Sequence, residues 1–176
     1  ILALQRPDKV ILLQSTDTVG QFEFRPLEQG YGITVGNALR RILLSSLEGY
    51  AITTIRLEGV DHEFSTMKGV VEDVAEIIIN LKEVRLKLIN KNVDKVTLRI
   101  KGPGILKAND LAKDSSDFEI LNPNQHIMTL NEDANFEFEL RISRGRGYHL
   151  SIDNKMVDMP IGMIAIDSVF TPVTNV

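Results

Sequence analysis

The stretch of residues 24–46, FRPLEQGYGITVGNALRRILLSS, leads from a strand through a glycine-rich loop into an amphipathic helix. Pro26 ends the strand, and the three glycines that follow give the loop the backbone freedom it needs before the helix. From Val35 to Leu47 one helical stripe is apolar and consists of Val35, Leu39, Ile42, Leu43 and Leu47. Leu44 lies off this stripe, beside Arg41. The sequence therefore predicts a helix with two faces that need packing partners.

The segments around this stretch predict a hairpin, a strand and a second helix. Residues 10–13 and 19–25 are apolar or alternating runs joined by a polar turn, which is typical of a hairpin. Residues 50–57 are rich in β-branched side chains and predict a strand. For the second helix we expect Ser65 and Thr66 to cap the start, and the apolar stripe is Val70, Val71, Val74, Ile77, Ile78 and Leu81.

From Val84 onward the pattern is that of antiparallel strands with one solvated face. Apolar and charged residues alternate over residues 96–101 and 136–142, and shorter apolar runs lie between them. Turn sequences such as Gly102-Pro103-Gly104 separate these runs. A last apolar stretch covers residues 160–170. We expect an antiparallel sheet with one solvated face, and the apolar face of the second helix must pack on a sheet or on another helix.

Composition restricts the function. The 176 residues are 43% hydrophobic and carry a net charge of −4, so a dominant nucleic-acid interface is disfavoured and any work on DNA is expected to be indirect. Cysteine is absent, which excludes disulfides and thiolate metal sites.

With neither a membrane-length apolar run nor a signal-peptide core, we expect a cytoplasmic protein without membrane contact. The start at Ile1 suggests a fragment.

No motif predicts catalysis, a metal or a cofactor. The glycine loop has the spacing G-x-G-x-x-x-G, one residue too long for a dinucleotide fingerprint, which disfavours a nucleotide-dependent enzyme. His62 lacks the second histidine of a zinc protease, and we expect His126 and His149 to be surface or cap residues. The carboxylates Glu72, Asp73 and Glu76 are explained by the positive end of the second helix.

One local element is both basic and aromatic, Arg144-Gly145-Arg146-Gly147-Tyr148. Such segments can bind single strands by charge and stacking, so a stand-alone nucleic-acid-binding module is the alternative function. We favour a glycine turn that closes the preceding strand, with solvated arginines.

Several of these runs together resemble the N-terminal domain of bacterial RNA polymerase alpha subunits. The similarity extends from about residue 8 to the end and is weakest over residues 84–135. It is carried by residues 24–46 and by Gly59-Val60, His62 to Thr66, Gly69-Val70, Glu72-Asp73, Asn80-Leu81-Lys82, Arg144 to Tyr148, Pro160-Ile161-Gly162, Ile166-Asp167-Ser168 and Thr171-Pro172-Val173.

The resemblance implies an α+β fold of two interleaved subdomains. Residues 1–49 and 165–176 would form a dimerisation subdomain, from the hairpin, the first helix and a returning segment. Residues 50–164 would form a mostly antiparallel β insert subdomain with one amphipathic helix. The family continues beyond Val176 into a strand and a long helix, so the dimerisation subdomain is expected to be incomplete here.

The resemblance also implies a function and partners. The chain would be a non-catalytic assembly scaffold within DNA-directed RNA polymerase, a nucleotidyltransferase whose chemistry is performed by other subunits. Two copies would pair, one docking the beta subunit and the other the beta-prime subunit, with omega and sigma in the same assembly. The implied dimer residues are Tyr31, Val35, Leu39, Ile42, Leu43 and Ser46. The implied beta contacts are Arg41, Leu44, Asn80, Leu81 and Lys82, and the implied beta-prime contacts are Ile166, Asp167, Ser168, Thr171 and Val173.

Overall fold

A computed structural model describes residues 3–176 and confirms the α+β class, with mostly antiparallel sheets. The helices are α1 Tyr31–Ser45, α2 Val74–Lys82 and α3 Ala108–Leu111. The strands are β1 Lys9–Ser15, β2 Gly20–Arg25, β3 Glu48–Leu57, β4 Leu86–Leu88, β5 Lys95–Lys101, β6 Gly104–Lys107, β7 Phe118–Ile120, β8 His126–Leu130, β9 Asn135–Arg146, β10 Tyr148–His149, β11 Met163–Ala165 and β12 Ser168–Val169. None of the helices in this described part has the length and apolarity that a membrane span requires.

The chain divides into two compact units, residues 1–43 and 44–176. In the first unit β1 and β2 form the predicted hairpin. Gly30 adopts a φ of 89°, and α1 begins directly after it at Tyr31, four residues before the predicted start. The glycine loop is therefore shorter than expected. The subdomain division implied by the resemblance, in which residues 165–176 join the N-terminal part, stays a prediction.

The second unit is built on one antiparallel sheet, ordered β5-β9-β3-β4-β7, with β11 also paired to β3. The long strand β9 lies between β3 and β5, and its alternate residues Phe136, Phe138, Leu140 and Ile142 point into the core. The residues between them are largely charged and form the outer face. This is the one-sided sheet that the alternation predicts.

Helix α2 packs on the inner face of this sheet through Val74, Ile77, Ile78 and Leu81. Its start differs from the prediction, because Asp73 is the N-cap and accepts a hydrogen bond from the Glu76 backbone N–H at 2.7 Å. Ser65 and Thr66 do not cap it. Val70 instead forms a bridge with Leu130.

Several short elements are absent from the prediction. The strand β9 continues through Arg146, and the turn is confined to Gly147, at a φ of 62°, before β10 begins. The strands β10 and β12 pair with each other, and β6 pairs with β8, a strand that the sequence does predict. The unpredicted strands β6, β10 and β12 have two to four residues, which is too short for a period in the sequence to identify them.

Candidate interaction surfaces

None of the fifteen residues of α1 is buried. Tyr31, Leu39 and Ile42 of the predicted dimer stripe are 44%, 45% and 52% exposed, and Ser46 is exposed just past the helix end. Val35 and Leu43 are half-buried. The hairpin adds Val10, Leu12, Leu13, Val19 and Phe22, each between 53% and 63% exposed. An apolar surface of this extent on a soluble protein is typical of an interaction site.

The residues implied as beta contacts fall into two groups. Arg41 is exposed and Leu44 half-buried on α1. At the end of α2, Asn80 Nδ2 donates to the Ile127 carbonyl at 3.0 Å, and Lys82 is bound to Asp167. Leu81 is only 1% exposed and belongs to the core, so its assignment as a surface contact is corrected.

The residues implied as beta-prime contacts are also divided by burial. Asp167, Thr171 and Val173 are partly exposed. Ile166 and Ser168 are each 1% exposed, and Ser168 Oγ donates to the Ile52 carbonyl oxygen at 2.7 Å. These two side chains are therefore buried within the chain, where they cannot contact a partner directly.

Asp167 joins three parts of the second unit. Its carboxylate accepts hydrogen bonds from Lys82 Nζ at 2.8 Å, Tyr148 Oη at 2.9 Å and the Ser151 backbone N–H at 2.7 Å. The Lys82 bond comes first among the causes that lower the pKa of Asp167 to about 2, and the Ser151 bond is next. The same carboxylate raises the pKa of Tyr148. We call this group the Asp167 network.

The arginines of the Arg-Gly segment are exposed, as expected for solvated side chains, and they are also paired within the chain. Arg144 and Arg146 lie on β9 and both donate through Nη2 to Glu48 of β3, the Arg146 bond being 3.0 Å. Hydrogen bonds from Arg144 first, and then Arg146, lower the pKa of Glu48. Much of the positive charge that a nucleic-acid clasp would use is therefore neutralised within the chain.

Gly145 of this segment and Gly49 of β3 accommodate Phe170. Gly49 and Gly145 are opposite each other on β3 and β9. A Cβ on Gly145 would lie 2.8 Å from the Phe170 ring, and one on Gly49 would collide with the Phe170 carbonyl oxygen. Phe170 also meets His149 edge to face, with ring centroids 5.0 Å apart. The sequence offers no signal for this contact beyond the two glycines.

Glu72 has a different role from the one predicted. It precedes α2, is 9% exposed, and accepts hydrogen bonds from the Thr129 backbone N–H and hydroxyl at 2.7 and 2.9 Å. His126 Nε2 lies 2.7 Å from Glu72 Oε1, the same oxygen that accepts from the Thr129 hydroxyl. Burial alone would raise the pKa of Glu72, but these hydrogen bonds outweigh it and the pKa is lowered. These hydrogen bonds link β8 to the segment before α2. Within residues 3–176 no cluster of side chains suited to bind a metal ion is found.

The model of a known protein family matches most of this chain. Residues 54–171 match the model of the RNA polymerase Rpb3/RpoA insert domain. The matched range covers the main sheet from the last four residues of β3 onward, α2, and the segment that carries Asp167 and Phe170.

Curated relatives extend the similarity to nearly the whole chain. DNA-directed RNA polymerase subunits alpha from Flavobacterium psychrophilum, Salinibacter ruber and Porphyromonas gingivalis are 57%, 52% and 51% identical, over 98%, 98% and 100% of this chain. The chain spans about half the length of these relatives, 53% to 54%. From the insert-domain match and this identity we conclude that the chain belongs to the family of DNA-directed RNA polymerase alpha subunits.

Proposed function

We propose that this chain is a non-catalytic assembly scaffold of DNA-directed RNA polymerase, which pairs with a second copy and docks the beta and beta-prime subunits. The observation that carries the proposal is the exposed apolar face of α1, together with the apolar side chains of the hairpin. Exposing this apolar surface to water is unfavourable in free energy, and this favours its burial in an interface. Family membership supports a place in the polymerase.

A two-fold pairing uses one patch on both copies, so a charge placed in that patch is met by the same charge on the partner. Ile42 lies on the predicted stripe and is 52% exposed. Ile33 is 77% exposed on the same helix, nine residues away, which at about 3.6 residues per turn is the opposite side. These two positions provide a test and its matched control.

The test is the molar mass by light scattering of the chain extended past Val176 to the length of its relatives. We expect a dimer for the wild type and for Ile33→Glu, and a monomer for Ile42→Glu at the same concentration. A dimer that survives Ile42→Glu, or that dissociates equally with Ile33→Glu, contradicts pairing through the stripe.

For the large subunits the proposal uses the accessible residues alone. We assign the beta contact first to Arg41 and Leu44, because an arginine beside an apolar anchor is a common interface pairing and both lie off the dimer stripe. Asn80 and Lys82, which are half-buried at the end of α2, form the second part of this contact. We assign the beta-prime contact to Asp167, Thr171 and Val173. In this arrangement nucleotidyl transfer belongs to other subunits, and the protein acts in the cytoplasm.

A further inference from the structure

Two loops of the second unit hold four large apolar side chains in water. Phe64, in the loop between β3 and α2, is 82% exposed. Ile152, Val157 and Ile161, in the segment between β10 and β11, are 73%, 101% and 93% exposed. Single apolar residues are ordinary on a protein surface, whereas a group of them indicates an interaction site.

The two loops lie side by side and enclose an open cavity of about 310 Å³. Asp61 and Glu63 of the first loop line this cavity, and so do Ile152 and Met159 of the second. Asp61 also lines an adjoining cavity of about 290 Å³, together with Ile161. These five residues therefore form one continuous surface, which we call the Ile152 surface.

The charges at the Ile152 surface are mainly negative and are not neutralised within the chain. Asp61 and Glu63 are exposed, and neither forms an ion pair among residues 3–176. Lys155 is the one cation in the wall of the 310 Å³ cavity. The exposed carboxylates Asp153 and Asp158 flank Lys155 in sequence, so the second loop does not offset the charge of the first.

The other charged side chains of the adjoining cavity already have partners. Arg56 is bound to Glu137 at 3.0 Å, and Glu58 is bound by Arg99 at 2.9 Å. Arg56 is therefore not available to neutralise Asp61. The Ile152 surface thus offers a partner apolar side chains together with open carboxylates.

We propose that the Ile152 surface docks a basic amphipathic segment of a different protein. An apolar side chain of that segment enters the cavity against Ile152 and Met159, and the flexible methionine adapts to its shape. Neighbouring lysine or arginine side chains pair with Asp61 and Glu63. An acidic segment is repelled by these carboxylates. The contact is separate from the proposed pairing and large-subunit contacts, since none of their residues lines either cavity.

The test measures, by fluorescence anisotropy, the binding of a dye-labelled amphipathic helix made of leucine and lysine to the chain extended past Val176. We expect saturable binding that weakens as salt is added, and no binding of the matching leucine–glutamate helix. Ile152→Gln should weaken the Kd about tenfold, because an apolar contact is lost. The matched control is Ile105→Gln, which changes an exposed isoleucine on β6 and should leave the Kd unchanged.

Substitutions of charged residues should act in opposite directions. Glu63→Gln should weaken the Kd about two- to fivefold, because an exposed ion pair with the helix is lost. Lys155→Gln should tighten it by a similar factor, since it removes the one cation of the wall. Glu119→Gln, which removes an exposed carboxylate on β7, is the control and should have no effect.

Any of three results would overturn the proposal: no saturable binding, equal binding of the leucine–glutamate helix, or equal weakening by Ile152→Gln and Ile105→Gln. Binding that responds to Ile42→Glu instead of Ile152→Gln would locate the helix on α1 and would also overturn it. A molar mass that grows with concentration in the wild type, but not in Ile152→Gln, would show that a second copy of this chain occupies the surface instead.

Discussion

Asp167 shows how one carboxylate can hold together segments that are distant in sequence. Its bonds reach Lys82 at the end of α2, Tyr148 on β10 and Ser151 in the following turn. Because the segment around it carries the proposed beta-prime contacts, the network fixes the backbone on which those side chains stand.

The Asp167 network predicts a specific pH dependence. The pKa of Asp167 is lowered from 3.8 to about 2 in the folded protein, so the carboxylate stabilises the fold above the unfolded value. That contribution is lost as the pH falls from about 4 through 2. We expect the side-chain carbon signal of Asp167 to titrate near 2 by NMR.

The matched control is Asp114, an exposed carboxylate of the same unit. Asp167→Asn should lower the free energy of unfolding at pH 6 and flatten its decline in acid, whereas Asp114→Asn should do neither. A midpoint for Asp167 close to 4 would show that the network does not stabilise the charged form.

Gly145 is required by the packing of Phe170, and not by its backbone conformation. Its φ is not positive, yet a Cβ there would lie 2.8 Å from the Phe170 ring. We expect Gly145→Ala to reduce the free energy of unfolding by about 1–3 kcal/mol, as overpacking in a core does. Chemical denaturation measures the change.

The comparison variant for this prediction is Gly36→Ala. A Cβ on Gly36 would meet nothing within 4 Å, and the residue lies inside α1. Alanine is favoured over glycine in a helix by about 0.5–1 kcal/mol, so this variant should be neutral or more stable. Equal destabilisation by both variants would mean that Phe170 is not what Gly145 accommodates.

At the scale of elements, the start of α2 gives a further prediction. The Asp73 side chain accepts from the Glu76 backbone N–H at 2.7 Å. Asp73→Ala should cost about 1 kcal/mol of stability, and Asp73→Asn much less, because asparagine caps almost as well. Thermal unfolding of the two variants measures this difference. If Ser65→Ala were the more damaging substitution, the helix would begin earlier than the structure has it.

The sequence predicts the longer elements well, since the hairpin, β3, β5, β9 and α2 all have periods that span enough residues to be distinctive. It fails at the entry to α2, because Val70 continues the helical stripe in sequence but pairs with Leu130 in space. It also fails for β10 and β12, which pair over only two residues and whose Ser168 is held by a hydrogen bond to the Ile52 carbonyl, far away in sequence.

The interaction surfaces are predictable only in part, for a related reason. Family motifs identify segments, but a motif does not say which of its side chains face outward. Leu81 and Ile166 belong to matching motifs and are nonetheless core residues, each 1% exposed.

At the scale of the whole molecule, the two units differ in what they leave exposed. The second unit has its own core between α2 and the main sheet. In the first unit the hairpin and α1 place large apolar side chains in solvent, and none of the α1 residues is buried. The proposed scaffold role would give that surface a partner, and the proposed beta-prime contacts then lie on the second unit.

The most direct test of this role is the mass, by native mass spectrometry, of the complex captured when the extended chain is co-expressed with the polymerase beta subunit. The account predicts two copies of the chain with one beta subunit. Arg41→Ala should leave the pair of chains intact and reduce the captured beta subunit, whereas Lys87→Ala should not. A paired chain that captures no beta subunit, or a complex with a single copy, would contradict the scaffold function.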